Sequence, residues 1–215
     1  MKCLYAIITC DKNKSLRDTM EIAWCSATEH VWLTSEFSDG RDSYESSPYK
    51  LAGFFTRTCF DEYDWIIIID DDTFVFTDRV SSFLEMQSIK RPVISRWAQF
   101  KNDKPYQKMI SKHTPKLPVL FPRGGCGILI EGSVARDLSD YLRSTPFDTL
   151  PLEIHGDVSV GMWLRNVQDF KMVEHNELNY HPLNKLSKKA PKTALTLHYI
   201  NTQELVDLCV LSKSQ

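Results

Sequence analysis

The sequence predicts an α/β sandwich in which helices flank a largely parallel central sheet. Runs rich in branched and aromatic side chains alternate with segments of helical periodicity along the 215 residues. One of these runs, WIIII at residues 65–69, is apolar at every position, which is typical of a strand whose two faces are both covered. No internal repeat is visible and the length suits one domain, so we expect a single domain over residues 1–215.

The first elements are a strand, a helix and a second strand. CLYAIIT, at residues 3–9, has the composition of a buried strand. Ser15 can cap the helix that follows. The apolar side chains of this helix recur on one face, namely Leu16, Met20, Ala23, Trp24 and Ala27. HVWLTS, at residues 30–35, is the second predicted strand.

A polar loop, a helix, the isoleucine strand and another helix come next. The loop is rich in serine and spans residues 35–48, and Pro48 opens the helix behind it. This helix carries Leu51, Phe54, Phe55 and Thr58. After the isoleucine strand, Asp78 can cap a further helix. The apolar residues of that helix are Val80, Phe83 and Leu84.

The second half of the chain holds a glycine-rich turn, strands and two helices. VLFPRGGCGILIEGS, at residues 119–133, contains the turn and a strand. Ser133 can cap the next helix, whose apolar residues are Val134, Leu138, Tyr141 and Leu142. A helix-like run starts at Asp157, and a short apolar strand, ALTL, occupies residues 194–197.

Charge and composition exclude several classes of function. The formal net charge is −2 and the isoelectric point is near 6.3, so nothing favours nucleic acid or an anionic membrane as a partner. Two lysine-rich stretches, 101–116 and 185–192, lack periodicity and are predicted surface loops. No apolar run reaches the roughly 18 to 20 residues of a membrane span. The N-terminus lacks the pattern of a secretory signal, so we expect a cytoplasmic protein.

Six cysteines are spread along the chain without a C-x-x-C pair. Several fall at apolar positions of predicted elements, which favours buried free thiols over metal ligands or disulfides. The residues are Cys3, Cys10, Cys25, Cys59, Cys126 and Cys209.

Three consecutive aspartates, Asp70, Asp71 and Asp72, end the isoleucine strand. In an open α/β sheet the functional crevice lies beyond the carboxyl ends of the strands, so at least part of this cluster faces it. Because side chains alternate along an extended segment, Asp70 and Asp72 project to one side while Asp71 points elsewhere. Adjacent carboxylates repel one another, and a divalent cation relieves that repulsion. The D-x-D pair therefore predicts a site for Mg²⁺ or Mn²⁺ that also carries phosphate oxygens.

Two other interpretations of the aspartates compete with this one. The first is an acidic turn that caps the next helix, although three aspartates directly after an apolar strand are more than a cap needs. The second is a phosphatase of the haloacid dehalogenase type, whose strand-end pattern is D-x-D-x-T/V. Phe74 occupies the fifth position here, and the cluster lies far from the N-terminus.

Four blocks of sequence, in order, carry a family resemblance. They are WIIIIDDDTFV at 65–75, FPRGGCGILIEGS at 121–133, HGDVSVGMWL at 155–164 and TALTLHYINTQEL at 193–205. They are similar to the W-(apolar)-DDD-(T/N)-(Y/F)-V, G-G-A-G, E-D-V-x-x-G and F-H-Y/F patterns of the Fringe and core 1 β1,3-galactosyltransferase group, glycosyltransferase family 31. The resemblance covers most of the chain and implies a GT-A-like (Rossmann-like) fold.

The resemblance also implies a metal site. It makes His198 a ligand of Mn²⁺, or Mg²⁺, together with Asp70 and Asp72, and neutral imidazole suits such an ion. By itself, a histidine at the end of an apolar strand is more often a core residue.

Nucleotide and substrate contacts are implied at several other positions. Thr9 and Arg17 match family positions that contact the nucleotide, and Asp71 belongs to the matching aspartate block. Gly124 and Gly125 match the segment that lines the substrate cleft, where glycine lets a ligand approach the main chain. A tight turn would also explain these two glycines.

The resemblance implies inverting transfer of a sugar from a UDP-sugar to a hydroxyl of a glycan acceptor. The new linkage would be β, possibly β1,3. The resemblance does not define the sugar, the acceptor or the oligomeric state. Asp157 matches the general base, although a helix N-cap would also explain an aspartate there. The family has glutamate where this chain has Gly156, which bears on acceptor recognition. Two alternatives are a degenerate protein that binds a nucleotide-sugar or glycan without turnover, and a Mg²⁺-dependent phosphatase. Eukaryotic relatives resemble anchored Golgi proteins, so a trimmed domain would belong to the Golgi lumen.

Overall fold

The structure is a computed structural model, and it describes residues 1–100, 119–152, 155–179, 193–201, 203–204 and 208. The predicted loops at 101–116 and 185–192, and Cys209, lie outside the described residues.

The bounds of the described elements follow the alternation seen in the sequence. The strands are β1 (Cys3–Ile8), β2 (His30–Leu33), β3 (Trp65–Asp70), β4 (Phe74–Val75), β5 (Pro92–Ser95), β6 (Trp97–Phe100), β7 (Val119–Pro122), β8 (Ile128–Glu131), β9 (Lys171–Glu174), β10 (Leu178–Asn179) and β11 (Thr196–Leu197). The described α-helices are α1 (Lys14–Ala23), α2 (Ser47–Arg57), α3 (Thr77–Glu85), α4 (Gly132–Ser144) and α5 (Gly156–Leu164).

The central sheet has six strands in the order β2-β1-β3-β8-β5-β9. β1 pairs in parallel with β2 and β3, and β5 pairs in parallel with β9. β8 is antiparallel to both of its neighbours, β3 and β5. Five strands therefore run in one direction, which confirms the prediction of a largely parallel sheet within a GT-A-like α/β fold.

Strand β3 is buried on both faces, as its unbroken isoleucines predict. Ile66 and Ile68 belong to one core cluster, which includes Phe54 and Phe55 of α2 together with apolar residues of α4 and α5. The neighbouring isoleucines of β3 belong to a second cluster, on the other side of the sheet, with Met20 of α1 and residues of α3. The alternation of side chains along the strand thus divides β3 between two layers of helices.

The helix starts differ from the predictions by one or two residues. Ser15 lies inside α1, where Asn13 holds the N-cap position. Asp78 lies in the first turn of α3 rather than at its cap. The cap of α4 is Glu131, whose carboxylate accepts the backbone N–H of Ser133 at 3.0 Å, so the longer side chain takes the place predicted for the serine hydroxyl.

The strand predicted at 194–197 is present as β11, whereas several other strands, β4, β5, β9 and β10 among them, were absent from the prediction. β5 and β9 complete the central sheet, and β10, β11 and β4 form a separate three-stranded sheet. The antiparallel pairing of β4 with β11 joins the segment after the aspartates to the segment before His198. A third sheet consists of β6 and β7.

The five described cysteines are free thiols, as predicted, and Cys10, Cys25 and Cys126 are buried. Within the described ranges, no helix has both the length and the apolar character that crossing a membrane requires.

Candidate active site

The carboxyl ends of β1 and β3 lie side by side at one edge of the central sheet. Ile8, the last residue of β1, is in register with Asp70, the last residue of β3. The backbone N–H of Asp71 donates to the carbonyl of Ile8 at 3.0 Å, which continues the contact past the end of the ladder. Thr9 and the aspartates therefore emerge together at this edge, as expected for the crevice of an open α/β sheet.

Asp70, Asp72 and His198 converge at this edge. The Nε2 atom of His198 lies 3.0 Å from Oδ1 of Asp72 and 3.7 Å from Oδ2 of Asp70. One donor atom from each of the three residues lies within 4.8 Å of the other two. Two carboxylates and an imidazole at this spacing are a donor set suited to Mn²⁺ or Mg²⁺.

A short ladder between distant parts of the chain brings His198 to the aspartates. Leu197 of β11 is in register with Phe74 of β4, directly after the aspartate block. The backbone N–H of Ile200 donates to the carbonyl of Asp72 at 3.0 Å, and that of His198 donates to the carbonyl of Asn179 at 3.1 Å. The main chain is thus held on both sides of the imidazole.

Gly125 makes room for the His198 ring. A Cβ atom at this position would lie 2.0 Å from Cε1 of His198, far inside van der Waals contact. The carbonyl of Gly125 accepts the hydroxyl of Thr73 at 2.6 Å, so the glycine loop is tied to the segment that carries the aspartates. The glycine is needed here for close packing against a proposed metal ligand, and its φ is not positive.

Asp71 points away from the cluster and toward the residues that follow β1. Its Oδ2 accepts the hydroxyl of Thr9 at 2.6 Å and the side-chain amide of Asn13 at 2.9 Å. Burial raises the pKa of Asp71, and these two hydrogen bonds oppose that shift. Asp71 therefore fixes the loop after β1, and Asn13 is a site residue that the sequence motifs did not reveal.

Asp157 lies in the first turn of α5, where His155 holds the N-cap position. Its Oδ1 accepts the backbone N–H of Val158 at 2.8 Å, and its Oδ2 accepts that of Gly124 at 3.3 Å. Burial raises the pKa of Asp157 above the ordinary range of an aspartate, and the two N–H donors oppose that shift. The carboxylate is thus oriented by backbone groups from two elements.

Two adjoining cavities meet at the aspartates. The larger, of about 180 Å³, reaches toward the loop after β1, where Thr9, Lys12, Asn13 and Asp71 line it. The smaller, of about 50 Å³, contains Asp157 with Gly124 and Gly125. Five residues take part in the lining of both cavities: Ile8, Tyr44, Asp70, His198 and Tyr199. These shared residues, called the junction below, lie between the larger cavity and the smaller one.

Arg17 lies outside the lining of both cavities. Its guanidinium is 3.9 Å from a carboxylate oxygen of Asp11. Lys12 is a basic residue that does line the larger cavity, and the sequence patterns gave no reason to select it.

Gly156 packs too tightly to carry a side chain without local movement. A Cβ atom there would lie 2.9 Å from Cδ1 of Leu51 and 3.0 Å from Oγ of Ser47. The backbone N–H of Gly156 donates to that Ser47 hydroxyl at 3.2 Å. Helix α2 therefore occupies the space beside Gly156 into which a side chain at that position would begin.

The fold and site together define a class of protein. A mostly parallel sheet, helices on both faces and acidic residues at the end of β3 form a GT-A-like α/β fold with a candidate metal centre. The Fringe-like family model matches residues 6–213, and the chain belongs to that family.

The fold is also similar to that of a solved protein. The structure is the crystal structure of a glycosyltransferase involved in the glycosylation of the major capsid of PBCV-1. The TM-score is 0.53 with 11% sequence identity, over 99% of this chain and 100% of that one, so the likeness concerns the fold. No curated protein matches the sequence.

Proposed function

We propose that the protein is a metal-dependent inverting glycosyltransferase, with one catalytic domain, that moves a sugar from a UDP-sugar to a hydroxyl of a glycan acceptor. The observation that carries the proposal is the position of Asp70 and His198 between two adjoining cavities, with Asp157 in the smaller one. A diphosphate on one side and an attacking hydroxyl on the other would meet the sugar at the junction. Membership of the Fringe-like family supports the same class of reaction.

The UDP part of the donor would be bound by the metal cluster and by the loop after β1. Asp70, Asp72 and His198 would hold Mn²⁺ or Mg²⁺, which when bound neutralises the charge that develops on UDP as the glycosidic bond breaks. Asp71 keeps Thr9 and its loop in place along the cavity. This preorganisation lowers the cost of ordering the site when the nucleotide binds.

Asp157 would act as the general base. It would accept the proton of the acceptor hydroxyl while the hydroxyl oxygen attacks the anomeric carbon from the side opposite the leaving UDP, which inverts the configuration. A raised pKa makes the carboxylate a better proton acceptor near neutral pH. The N–H groups of Gly124 and Val158 orient the carboxylate for this step.

The test is UDP release from a panel of UDP-sugars with candidate glycan acceptors in the presence of Mn²⁺. Asp157→Asn should lower the transfer rate by about 10²- to 10⁴-fold, because the amide cannot accept the proton, while UDP affinity changes less than about 3-fold. Asp140→Asn, at an exposed position on α4, is the matched control and should leave both quantities unchanged. Transfer by Asp157→Asn at the wild-type rate would show that the base is assigned wrongly.

Three measurements separate the two alternatives: UDP release, UDP binding and hydrolysis of a phosphate ester. A degenerate nucleotide-sugar-binding protein would bind UDP with Mn²⁺ and transfer no sugar to any acceptor. A Mg²⁺-dependent phosphatase would hydrolyse p-nitrophenyl phosphate and show no affinity for UDP. Gly156, the departure that favoured a degenerate protein, is accommodated by the packing of Ser47 and Leu51.

A further inference from the structure

Two exposed tyrosines stand at the junction of the two cavities. Tyr44 is 59% exposed and Tyr199 is 44% exposed. Among the side chains that the structure describes, Phe147 is the other aromatic residue with comparable exposure, and it lies away from both cavities. A single exposed apolar side chain is ordinary on a protein surface, whereas exposed apolar surface gathered beside a cleft is typical of a ligand-binding groove.

Each of these rings is held in place by a histidine. The ring of Tyr199 stacks on that of His198, with centroids 3.7 Å apart and an angle of 29° between the planes. Tyr44 packs against His155, which precedes the helix of Asp157, at 5.9 Å and 59°. The ring of Tyr199 therefore contacts a proposed metal ligand, and the ring of Tyr44 contacts the residue at the start of the helix that carries the proposed base.

The backbone of Tyr199 is in an uncommon conformation. Its φ is +60°, in the left-handed region that bulky side chains rarely adopt. Such a conformation persists where the surrounding structure holds it, and here Ile200 N–H is bound to the carbonyl of Asp72 on one side and His198 N–H to Asn179 on the other. The conformation directs the ring to the junction.

The junction is where a transferred sugar would have to lie, given the proposed function. Its anomeric carbon must be next to the leaving diphosphate in the larger cavity and next to the attacking hydroxyl in the smaller one. A pyranose ring presents C–H groups on its apolar faces, and these pack well against the electron-rich face of an aromatic ring. Polar groups that contact the hydroxyls and rings that contact the C–H faces together select one sugar over another.

We propose that Tyr44 and Tyr199 hold the pyranose of the donor by its apolar faces and are specificity-determining residues for that sugar. The inference rests on the proposed function. It assigns the two rings to the sugar and not to the uridine diphosphate, so removing either ring should affect binding of the UDP-sugar and spare UDP.

The test is calorimetric titration of the protein, in Mn²⁺, with UDP and with UDP-glucose, UDP-galactose and UDP-N-acetylglucosamine. The probe for the variants is the UDP-sugar that the wild type binds most tightly. Tyr44→Ala and Tyr199→Asn should weaken its binding about 3- to 10-fold, while the Kd of UDP changes less than 2-fold. Asparagine is chosen at 199 because it tolerates positive φ and keeps the backbone in place.

The controls are Tyr44→Phe and Tyr199→Phe, which keep the rings, and Phe147→Ala, which removes an exposed ring elsewhere. All three should bind the UDP-sugar within 2-fold of the wild type. Equal losses for UDP and UDP-sugar, or no loss for either, would overturn the inference and leave the proposed function standing. If the wild type bound neither UDP nor any UDP-sugar, the proposed function itself would fall, and the inference with it.

Discussion

Asp70 occupies an environment in the site that disfavours its ionised form. Burial raises its pKa to about 7, His198 opposes the shift, and the negative charges of Asp72 and Asp157 add to it. A carboxyl whose pKa rises on folding stabilises the folded state fully only below its unfolded pKa of about 3.9. That stability is lost as the pH rises through about 7. At neutral and alkaline pH the ionised carboxylate of Asp70, a proposed metal ligand, therefore destabilises the metal-free protein.

Asp70→Asn should stabilise the metal-free protein, because it removes the buried charge. The gain in the free energy of unfolding in EDTA should be larger at pH 8.5 than at pH 5.5, about 1 to 2 kcal/mol at the higher pH, since a quarter of the side chain is exposed. Chemical denaturation at the two pH values measures it. An equal gain at both pH values, or a loss at pH 8.5, would contradict the account of this residue.

Adjacent glycines should separate the metal site from the base. A Cβ at Gly125 would overlap the imidazole of His198, at 2.0 Å, whereas one at Gly124 would lie 3.2 Å from Cβ of Asp157. Gly125→Ala should therefore weaken Mn²⁺-dependent UDP binding by at least about 10-fold, since the ring must move. Gly124→Ala should lower the transfer rate more than UDP affinity. Calorimetry and a UDP-release assay on both variants measure the two effects, and the opposite pattern would show that the residues act differently.

Sequence motifs select some residues of this site and miss others for a physical reason. Asp70, Asp72, His198 and Asp157 fall in blocks whose residue types and order are distinctive. Other residues of the cavities lie between the main helices and strands, and their positions depend on backbone geometry that no local pattern encodes; these are Lys12, Asn13 and Tyr44. Tyr199 falls in the block that ends in the histidine, but the pattern did not indicate that its ring lines both cavities. Arg17 fits a family position, yet in this structure it lies outside the cavity lining.

At the scale of elements, a buried ammonium group joins the residue after β1 and the segment at Asp42 to helix α2. Lys50 of α2, 1% exposed, donates to the carbonyl of Thr9 at 2.5 Å and to Asp42 at 3.0 Å. The other carboxylate oxygen of Asp42 accepts the backbone N–H of Asp11 at 2.7 Å. The end of β1, the segment at Asp42 and helix α2 are thus connected through the ammonium group of Lys50.

Lys50→Met should lower the free energy of unfolding by about 3 kcal/mol, because it leaves the Thr9 carbonyl and Asp42 without their cation. The matched control is Arg57→Met, whose ion pair with Asp39 is exposed and should be worth less than about 1 kcal/mol. Urea denaturation of the two variants measures the difference. Similar losses for both would mean that the buried pair has no special weight.

Elements with a strong pattern could be predicted, and several of the short ones could not. Four consecutive isoleucines predict β3, and periodic apolar residues predict α2 and α4. β4 and β10 contain two residues each, so they are defined only by their pairing with β11, which lies in the predicted apolar run ALTL. β9 lies at the edge of the sheet with mostly exposed side chains, and it carries no alternation that would mark a strand.

At the scale of the whole molecule, the direction of β8 was the main topological feature that the sequence did not reveal. A strand's composition does not state its direction, and β8 reaches the sheet from the glycine loop, antiparallel to β3. This reversal places Gly124 and Gly125, in the turn that precedes the strand, beside the carboxyl end of β3, where Asp157 and His198 pack against them. The site therefore depends on the topology of the whole sheet.

The central claim is that the Asp70–Asp72–His198 cluster binds UDP through a divalent ion. Its most direct test is calorimetric titration of the protein with UDP in Mn²⁺, repeated after addition of EDTA and with Asp72→Asn. The account predicts binding in Mn²⁺ and at least a 10-fold loss of affinity in both other conditions, because the diphosphate then lacks its counter-charge. UDP binding that survives EDTA and the substitution unchanged, or no UDP binding in any condition, would contradict it.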